Sequence, residues 1–302
     1  MKIKENDAFY RIFMVFNAIV MVLLVVIMIF PYVHVIAKAF NEGLDTMRGG
    51  ISIWPRKFTF ENIWLVIGDE STAKAITVSV IRVLTGVACG IFVQFSAAYA
   101  LTKKTMPGRN GFLIYFTIPM FFSGGMVPTY MLFSQIGLLN NFWVYILPVL
   151  FNFYNIIIIR TFINTTIPDC IEESAIIDGA SELVVFVRII LPLCKPILAT
   201  IALWLAVLHW NDWMATLLYV NSNRLHTLQY KMMEIIKESE RVQKMIEQAI
   251  VTGQDVSEIQ VKATSDALAS AQILVTTLPI IIVYPFLQKY FVKGVMLGSV
   301  KG

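Results

Sequence analysis

Arg82 lies within a long apolar run of this 302-residue chain, and Asp212 lies late in another. An ionised side chain at membrane depth costs at least about 2.5–3.5 kcal/mol, so Arg82 is a functional candidate by default. Binding or gating is the chemistry open to such a residue, because catalytic partners are missing around it. No G-x-x-x-x-G-K-[ST] phosphate loop occurs, so this chain is not expected to hydrolyse ATP itself. His34, His209 and His226 do not fall at metal-ligand spacing with other ligands, and no Ser or Cys has a base partner readable from the sequence. Neither a catalytic residue nor a metal site is expected. Cys89, Cys170 and Cys194 are spaced like reduced packing residues, without the pattern of a disulfide framework.

Acidic residues gather in one polar interruption, Ile167-Pro168-Asp169-Cys170-Ile171-Glu172-Glu173-Ser174-Ala175-Ile176-Ile177-Asp178-Gly179-Ala180-Ser181. Its spacing predicts a short helix with both ends marked. Asp169 is expected to cap the N-terminus, with Glu172 three residues on in a box-like arrangement. Gly179 suits the left-handed conformation that ends a helix, and Ser181 is placed to cap a second helix running towards Leu191-Pro192. Two short helices joined this way make a rigid knob; the plainer reading is an ordinary loop between spans.

The elements that must carry these residues follow from composition. The chain is 57% hydrophobic and 15% charged, whereas a soluble domain runs near one quarter charged. Lipid is the solvent that suits the excess. The net charge of +4 is modest and the basic residues form no aromatic-interleaved patch, which argues against nucleic-acid binding. Six stretches are long enough to cross a bilayer, near 12–36, 73–101, 112–135, 142–163, 196–219 and 268–292. Ala37-Lys38-Ala39 imitates a signal cleavage site, but the apolar run before it is too long for a signal peptide, so a retained helix is expected.

Lys103, Lys104 and Arg109 follow the second span with no acid, while the loop Ile136 to Asn141 has no charge. With Lys2, Lys4 and Arg11 before the first span and Lys289, Lys293 and Lys301 at the other end, this predicts cytoplasmic N- and C-termini. The long loops near 38–72 and 220–267 are then external, and the acidic loop 168–192 is internal. Prolines 119, 128, 148, 279 and 285 interrupt the spans, most densely at Phe122 to Tyr130, where either a backbone opening onto a cavity or a packing kink is expected. Gly86 and Gly90 form a G-x-x-x-G spacing that lets two helices approach. Residues 228–250 show helical apolar spacing at Leu228, Met232, Ile235, Val242, Met245, Ile246 and Ala249, which predicts an external amphipathic helix.

Glu173-Ser174-Ala175, with Gly179 four residues later and Ile190-Leu191-Pro192 beyond, resembles the EAA motif of binding-protein-dependent ABC transporter permeases. The fuller string through Asp178-Gly179-Ala180 is similar to the carbohydrate-uptake, maltose-permease-like version, with Ser174 in place of the usual first Ala. Trp210-Asn211-Asp212-Trp213 and the terminal Gly298 to Gly302 also resemble that family, nearest its LplC/YtcP-like branch, which is associated with complex or uronate-bearing oligosaccharides. The resemblance implies an all-α polytopic membrane protein of the type I ABC importer permease fold. It implies a plasma (inner) membrane location, an N-terminal helix and external loop over 1–72, a five-helix permease core over 73–292, and a cytoplasmic tail over 293–302.

By the same resemblance, Glu172, Glu173, Ser174, Ala175, Asp178, Gly179 and Ala180 couple to a cytoplasmic ATPase, and Lys301 and Gly302 touch it. Apolar Ile171, Ala175 and Ile176 are expected to seat the knob. The implied partners are a second permease subunit in a heterodimer, two ABC ATPase subunits holding ATP and Mg, an extracellular solute-binding protein and the lipid bilayer; no cofactor is expected on this chain. Arg82, Gly124, Gly125, Tyr130, Trp210, Asn211 and Asp212 are the candidates for the substrate path. Arg82 either attracts an acidic sugar, snorkels outward, or pairs with Asp212, and the Trp residues either stack on sugar rings or anchor at the interface. The alternatives to a sugar importer are an ABC permease for phosphate, polyamine or amino acid, or an ion-coupled secondary transporter.

Overall fold

In lipid, a chain must satisfy its backbone hydrogen bonds within itself, and a helix does so residue by residue. The computed structural model describes residues 8–252 and 265–299; among them there is no β-strand, only an isolated bridge between Asn41 and Phe58. The helices are α1 (Ala8–Ala39), α2 (Gly43–Met47), α3 (Glu61–Gly68), α4 (Glu70–Ala100), α5 (Arg109–Phe121), α6 (Met126–Gln135) and α7 (Phe153–Thr166). After them come α8 (Asp169–Ile177), α9 (Glu182–Leu193), α10 (Lys195–Asn211), α11 (Met214–Tyr219), α12 (Leu228–Thr252) and α13 (Ser265–Ser299).

These helices fall into two units. The first holds residues up to Asp69 together with Met232–Thr277. In it α1 exposes every side chain from Phe9 to Tyr32, an apolar surface that only lipid or another subunit can cover. Its last residues are treated differently. Ala39 is buried with Val66 and Ala271, and Asn62 Nδ2 donates to the carbonyls of Ala39 and Asn41 at 3.1 and 2.8 Å, which satisfies groups that a helix end leaves open. Asn41 ties the loop beyond: its side-chain amide nitrogen donates to Asp45 Oδ2 and Thr46 Oγ1, both at 3.0 Å, and its side-chain Oδ1 accepts from the Lys57 N–H.

The second unit, Glu70–Lys231 with the chain from Leu278 onward, is organised by α4. Its buried side is a stripe at three- and four-residue spacing: Thr72, Ala75, Ser79, Arg82, Gly86, Gly90, Gln94 and Ala98. A water-soluble helix would bury Leu and Ile along this stripe; this one buries small and polar residues there, with Phe95 and Tyr99 buried beside it near its end. The predicted glycine spacing has its expected effect. A Cβ on Gly86 would lie 2.2 Å from His209 Nε2, and one on Gly90 would lie 2.9 Å from Leu205 Cδ1, so α10 rests directly on the α4 backbone. Phe95, Ile156, Ile159, Val185, Ile190 and Ile201 form the core between α4, α7, α9 and α10.

Several spans are interrupted, as the prolines led one to expect, though not always at the prolines. Among the described residues, Phe9–Ala39 and Glu70–Ala100 are long and apolar enough to cross a membrane alone. Three further stretches are bent pairs. α5 and α6 meet at 116° across Phe122–Gly125; a 3-10 stretch over Phe142–Val149 meets α7 at 49°; α9 meets α10 at 77°. Pro192 and Pro196 account for the last bend, since each removes a backbone N–H from the helical ladder, and α9 passes through a π-helical segment at Val185–Ile190 to accommodate it. The fifth predicted span also stops at Asn211 and restarts at Met214. The apolar stretch of the sixth lies in α13 and the amphipathic one in α12.

Candidate functional site: a coupling knob and a polar spine

α8 begins directly after Pro168, which occupies the capping position with no side-chain hydrogen bond. Asp169 is therefore not the cap that its type suggested; it is the first helical residue, and its Oδ2 accepts from Lys104 Nζ at 2.9 Å. Glu172 does not close a capping box either. Its Oε1 accepts from Tyr99 Oη at 3.0 Å and pairs with Lys103 Nζ. Burial lowers the Lys103 ammonium below its usual value, and the Glu182 carboxylate opposes that shift. Neither Lys103, Lys104 nor Tyr99 was singled out by sequence as a partner of this helix. They lie about seventy residues away, and only folding reveals such a pairing.

The C-terminus of α8 follows the sequence expectation. Gly179 has φ +85, the Gly179 N–H returns to Ile176 O at 3.0 Å, and the Ala180 N–H returns to Ala175 O at 2.9 Å. This is the paired closure of a Schellman turn, which places a left-handed residue where glycine carries no penalty. Ser181 stands at the cap position of α9, but its side chain makes no capping hydrogen bond.

The knob has two faces. Glu172, Ala175 and Ala180 are half-buried, with the two alanines packed on the body. Glu173, Ser174, Asp178 and Gly179 are exposed, as are Ile171, Ile176 and Ile177, the last at 85%. Leu183, at the start of α9, is 70% exposed. Ala175, expected to help seat the knob, packs against the protein's own core, and Ile177 and Leu183 are further exposed apolar surface beyond the residues expected.

Within the second unit, α4 also holds the breaks in its neighbours. Arg82, 1% exposed, donates from one guanidinium nitrogen to the Asp212 carbonyl at 2.8 Å and from another to Asp212 Oδ2 at 2.5 Å. Its guanidinium lies 4.4 Å from the centre of the Tyr145 ring. The second Asp212 oxygen accepts from the Ala215 N–H at the start of α11. One ion pair therefore satisfies the backbone at the gap between α10 and α11. Of the three roles open to Arg82 in the sequence, the structure shows the pairing with Asp212.

Two more side chains of α4 act alike. Gln94 Nε2 donates at 3.1 Å to the Leu150 carbonyl, freed at the bend before α7, and Gln94 Oε1 accepts from Asn155 Nδ2 at 3.0 Å. Ser79 Oγ accepts at 2.9 Å from the N–H of Leu228, the first residue of α12. Each bond answers a polar group that no helix could satisfy at that point.

The other path candidates are spread over the unit. Trp210 is buried beside the break, and Asn211 Oδ1 accepts from Gln229 Nε2 at 3.4 Å. Gly124 and Gly125 form the extended link between α5 and α6, with Gly125 at φ +89. Tyr130 is 43% exposed and stacks on Tyr219 with ring centres 6.3 Å apart. Lys301 and Gly302 lie outside the described residues.

No protein-family model matches the chain. It is 37% identical to protein LplC of Bacillus subtilis (strain 168), over 99% of this chain and 98% of that one. It is 34% identical to the polygalacturonan/rhamnogalacturonan transport system permease protein YtcP of the same organism, over 91% of this chain and 93% of that one. Among solved structures it is similar, with a TM-score of 0.83 and 25% identity, to a chain of a bacterial ABC transporter involved in the import of the acidic polysaccharide alginate. That match covers 96% of this chain and 100% of the other.

Proposed function

The chain belongs to the permease subunits of carbohydrate ABC importers, integral membrane proteins whose ATPase is a separate subunit, and from that premise we propose that it moves a uronate-bearing oligosaccharide into the cytoplasm by alternating access. The observation that carries the transport role is the α8–Gly179–α9 knob, which presents Glu173, Ser174, Asp178, Ile176 and Ile177 outward from a membrane-spanning body. The acidic cargo draws its support from the polygalacturonan/rhamnogalacturonan and alginate transporters that the chain resembles.

In this reading the two long apolar helices, the bent pairs over 109–135 and 142–166, α10 with its restart in α11, and the apolar stretch of α13 make six spans, and α9 stays with the loop before them. N- and C-termini are cytoplasmic, residues 1–72 form the first span and external loop, 73–292 the core, and 293–302 the tail. Loop 168–192 then faces the ATPase, with Glu173, Ser174, Asp178 and Gly179 at its surface and Ala175 and Ala180 fixing it to the body. Lys301 and Gly302 supply a second contact. A heterodimeric second permease, two ATPase subunits carrying ATP and Mg, and an extracellular solute-binding protein complete the importer. On the substrate path, Tyr130 and the Gly124-Gly125 link contribute surface, while Arg82 and Asp212 shape it through their pair beside Trp210 and Asn211.

The test is uptake into proteoliposomes by the assembled complex with its binding protein. Oligogalacturonides are expected to enter only with ATP. Entry without ATP would remove the ABC mechanism, and ATP-driven entry of neutral oligosaccharides alone would remove the uronate.

A further inference from the structure

The loop Thr102–Thr105, which comes after α4, carries Lys103 and Lys104, whose charges already orient the chain. In the folded protein both are spent on the first turn of α8: Lys104 on Asp169 and Lys103 on Glu172. Tyr99, in the last turn of α4, donates to the same Glu172 oxygen, and Lys103 Nζ lies 4.4 Å from the centre of the Tyr99 ring. Three side chains, one from the last turn of α4 and two from the loop after it, therefore converge on the start of α8.

The two ion pairs differ in weight. Lys104 and Asp169 are 81% and 74% exposed, and a pair in that much water contributes little. Lys103 and Glu172 are 23% and 24% exposed, and Glu172 takes a second donor as well. Charge-assisted bonds of that kind are the stronger ones.

We infer that Lys103 is a positioning residue for the coupling helix, that Glu172 is its partner within this chain and not a contact for the ATPase, and that the α4 end and α8 are held as one body by this pair. The inference rests on the coupling role assigned to α8. Its basis is what else holds that helix. The C-terminus is closed by the Gly179 turn, and Ala175 and Ala180 give it a shallow apolar seat, while Ile171, Ile176 and Ile177 face outward. Ile167, just before α8, is buried in the core, but the first turn of the helix itself carries no buried apolar side chain. A cleft of about 360 Å3, lined in part by Lys103, Lys104, Glu172 and Glu173, lies beside the pair, and the polar contacts from the α4 end reach the first turn of α8 across it. The same α4 reaches Leu150 and Asp212 at the breaks of two other spans. A push on α8 therefore reaches the helix that holds those breaks.

The experiment uses the assembled importer carrying Lys103→Glu, Lys103→Arg, Glu172→Lys, or the exchanged pair Lys103→Glu with Glu172→Lys. Loss of a charge-assisted bond predicts about a tenfold fall in solute moved per ATP hydrolysed for Lys103→Glu, and about tenfold faster amide exchange in residues 169–177. Lys103→Arg is expected to remain within about twofold of the parent, because it keeps the charge. The exchanged pair is expected to recover most of both losses, including complex assembly if the single variants fail to assemble. An unchanged ratio and unchanged exchange in Lys103→Glu overturn the inference. So does an exchanged pair no better than the worse single variant. Amide exchange needs no cargo, so a complex with a protected α8 but no sugar uptake counts against the proposed cargo and leaves the positioning role standing.

Discussion

α1 and α4 are of nearly equal length, 32 and 31 residues, and each is apolar enough to cross a bilayer alone, yet they are built to opposite rules. α1 exposes its side chains from Phe9 to Tyr32 and buries none of them. α4 buries a stripe of Thr, Ser, Ala, Arg, Gly and Gln, with the aromatics Phe95 and Tyr99 beside it at one end. In water the apolar stripe would be the packed one. In lipid there is no hydrophobic gain in bringing helices together, so close backbone approach and polar satisfaction decide which faces meet. α1 shows what suffices to enter a membrane, and α4 what is needed to hold other helices there.

That contrast can be broken most directly at Arg82. Replacing it by Leu leaves the Asp212 carboxylate and carbonyl without their partner, an expected loss of about 3–5 kcal/mol, read as a large fall in melting temperature or yield of the purified complex. Arg82→Leu with Asp212→Leu is expected to recover part of that loss. Equal damage in the single and double variants would mean that the pair does not hold the break. Gly86→Ala comes next. Its methyl group must displace the His209 ring, at an expected cost of about 1–3 kcal/mol in thermal stability of the complex.

Gln94→Leu is expected to cost about 1–3 kcal/mol by stranding the Leu150 carbonyl and the Asn155 amide; a melting temperature unchanged from the parent would show that the bend before α7 needs no brace. The smallest effect belongs to α1. Val22→Leu is expected to change stability by no more than about 0.5 kcal/mol, since a swap on an exposed apolar surface leaves no cavity. A loss as large as that at Gly86 would place Val22 in a shaped contact and remove the distinction between the two helices.

Much of this was legible in the chain. The spacing of Gly86 and Gly90 marked a close approach, and Gly179 marked the end of α8, because both depend on the missing Cβ and not on distant partners. The EAA-like string from Glu173 through Ala180 marked the two-helix knob to which the proposed function assigns coupling. Less legible was how the prolines would act. Pro119 lies inside α5 without ending it, whereas the neighbouring Phe122–Gly125 link turns the chain by 116°. Proline removes a donor, but whether the helix then bends or breaks depends on whether a neighbour satisfies the carbonyl left behind.

The sequence by itself determined that the chain enters a membrane, where its apolar runs lie, which loop is punctuated as a knob, and that Arg82 must answer for its charge. Each is a property of residue type or near spacing. Only the tertiary structure decided that Arg82 is answered by Asp212, Leu150 by Gln94, and Glu172 by Lys103 and Tyr99. Those pairs are separated by 130, 56, and about 70 residues, and no local periodicity encodes them. They form because a polar group without water must find its partner wherever the fold brings one.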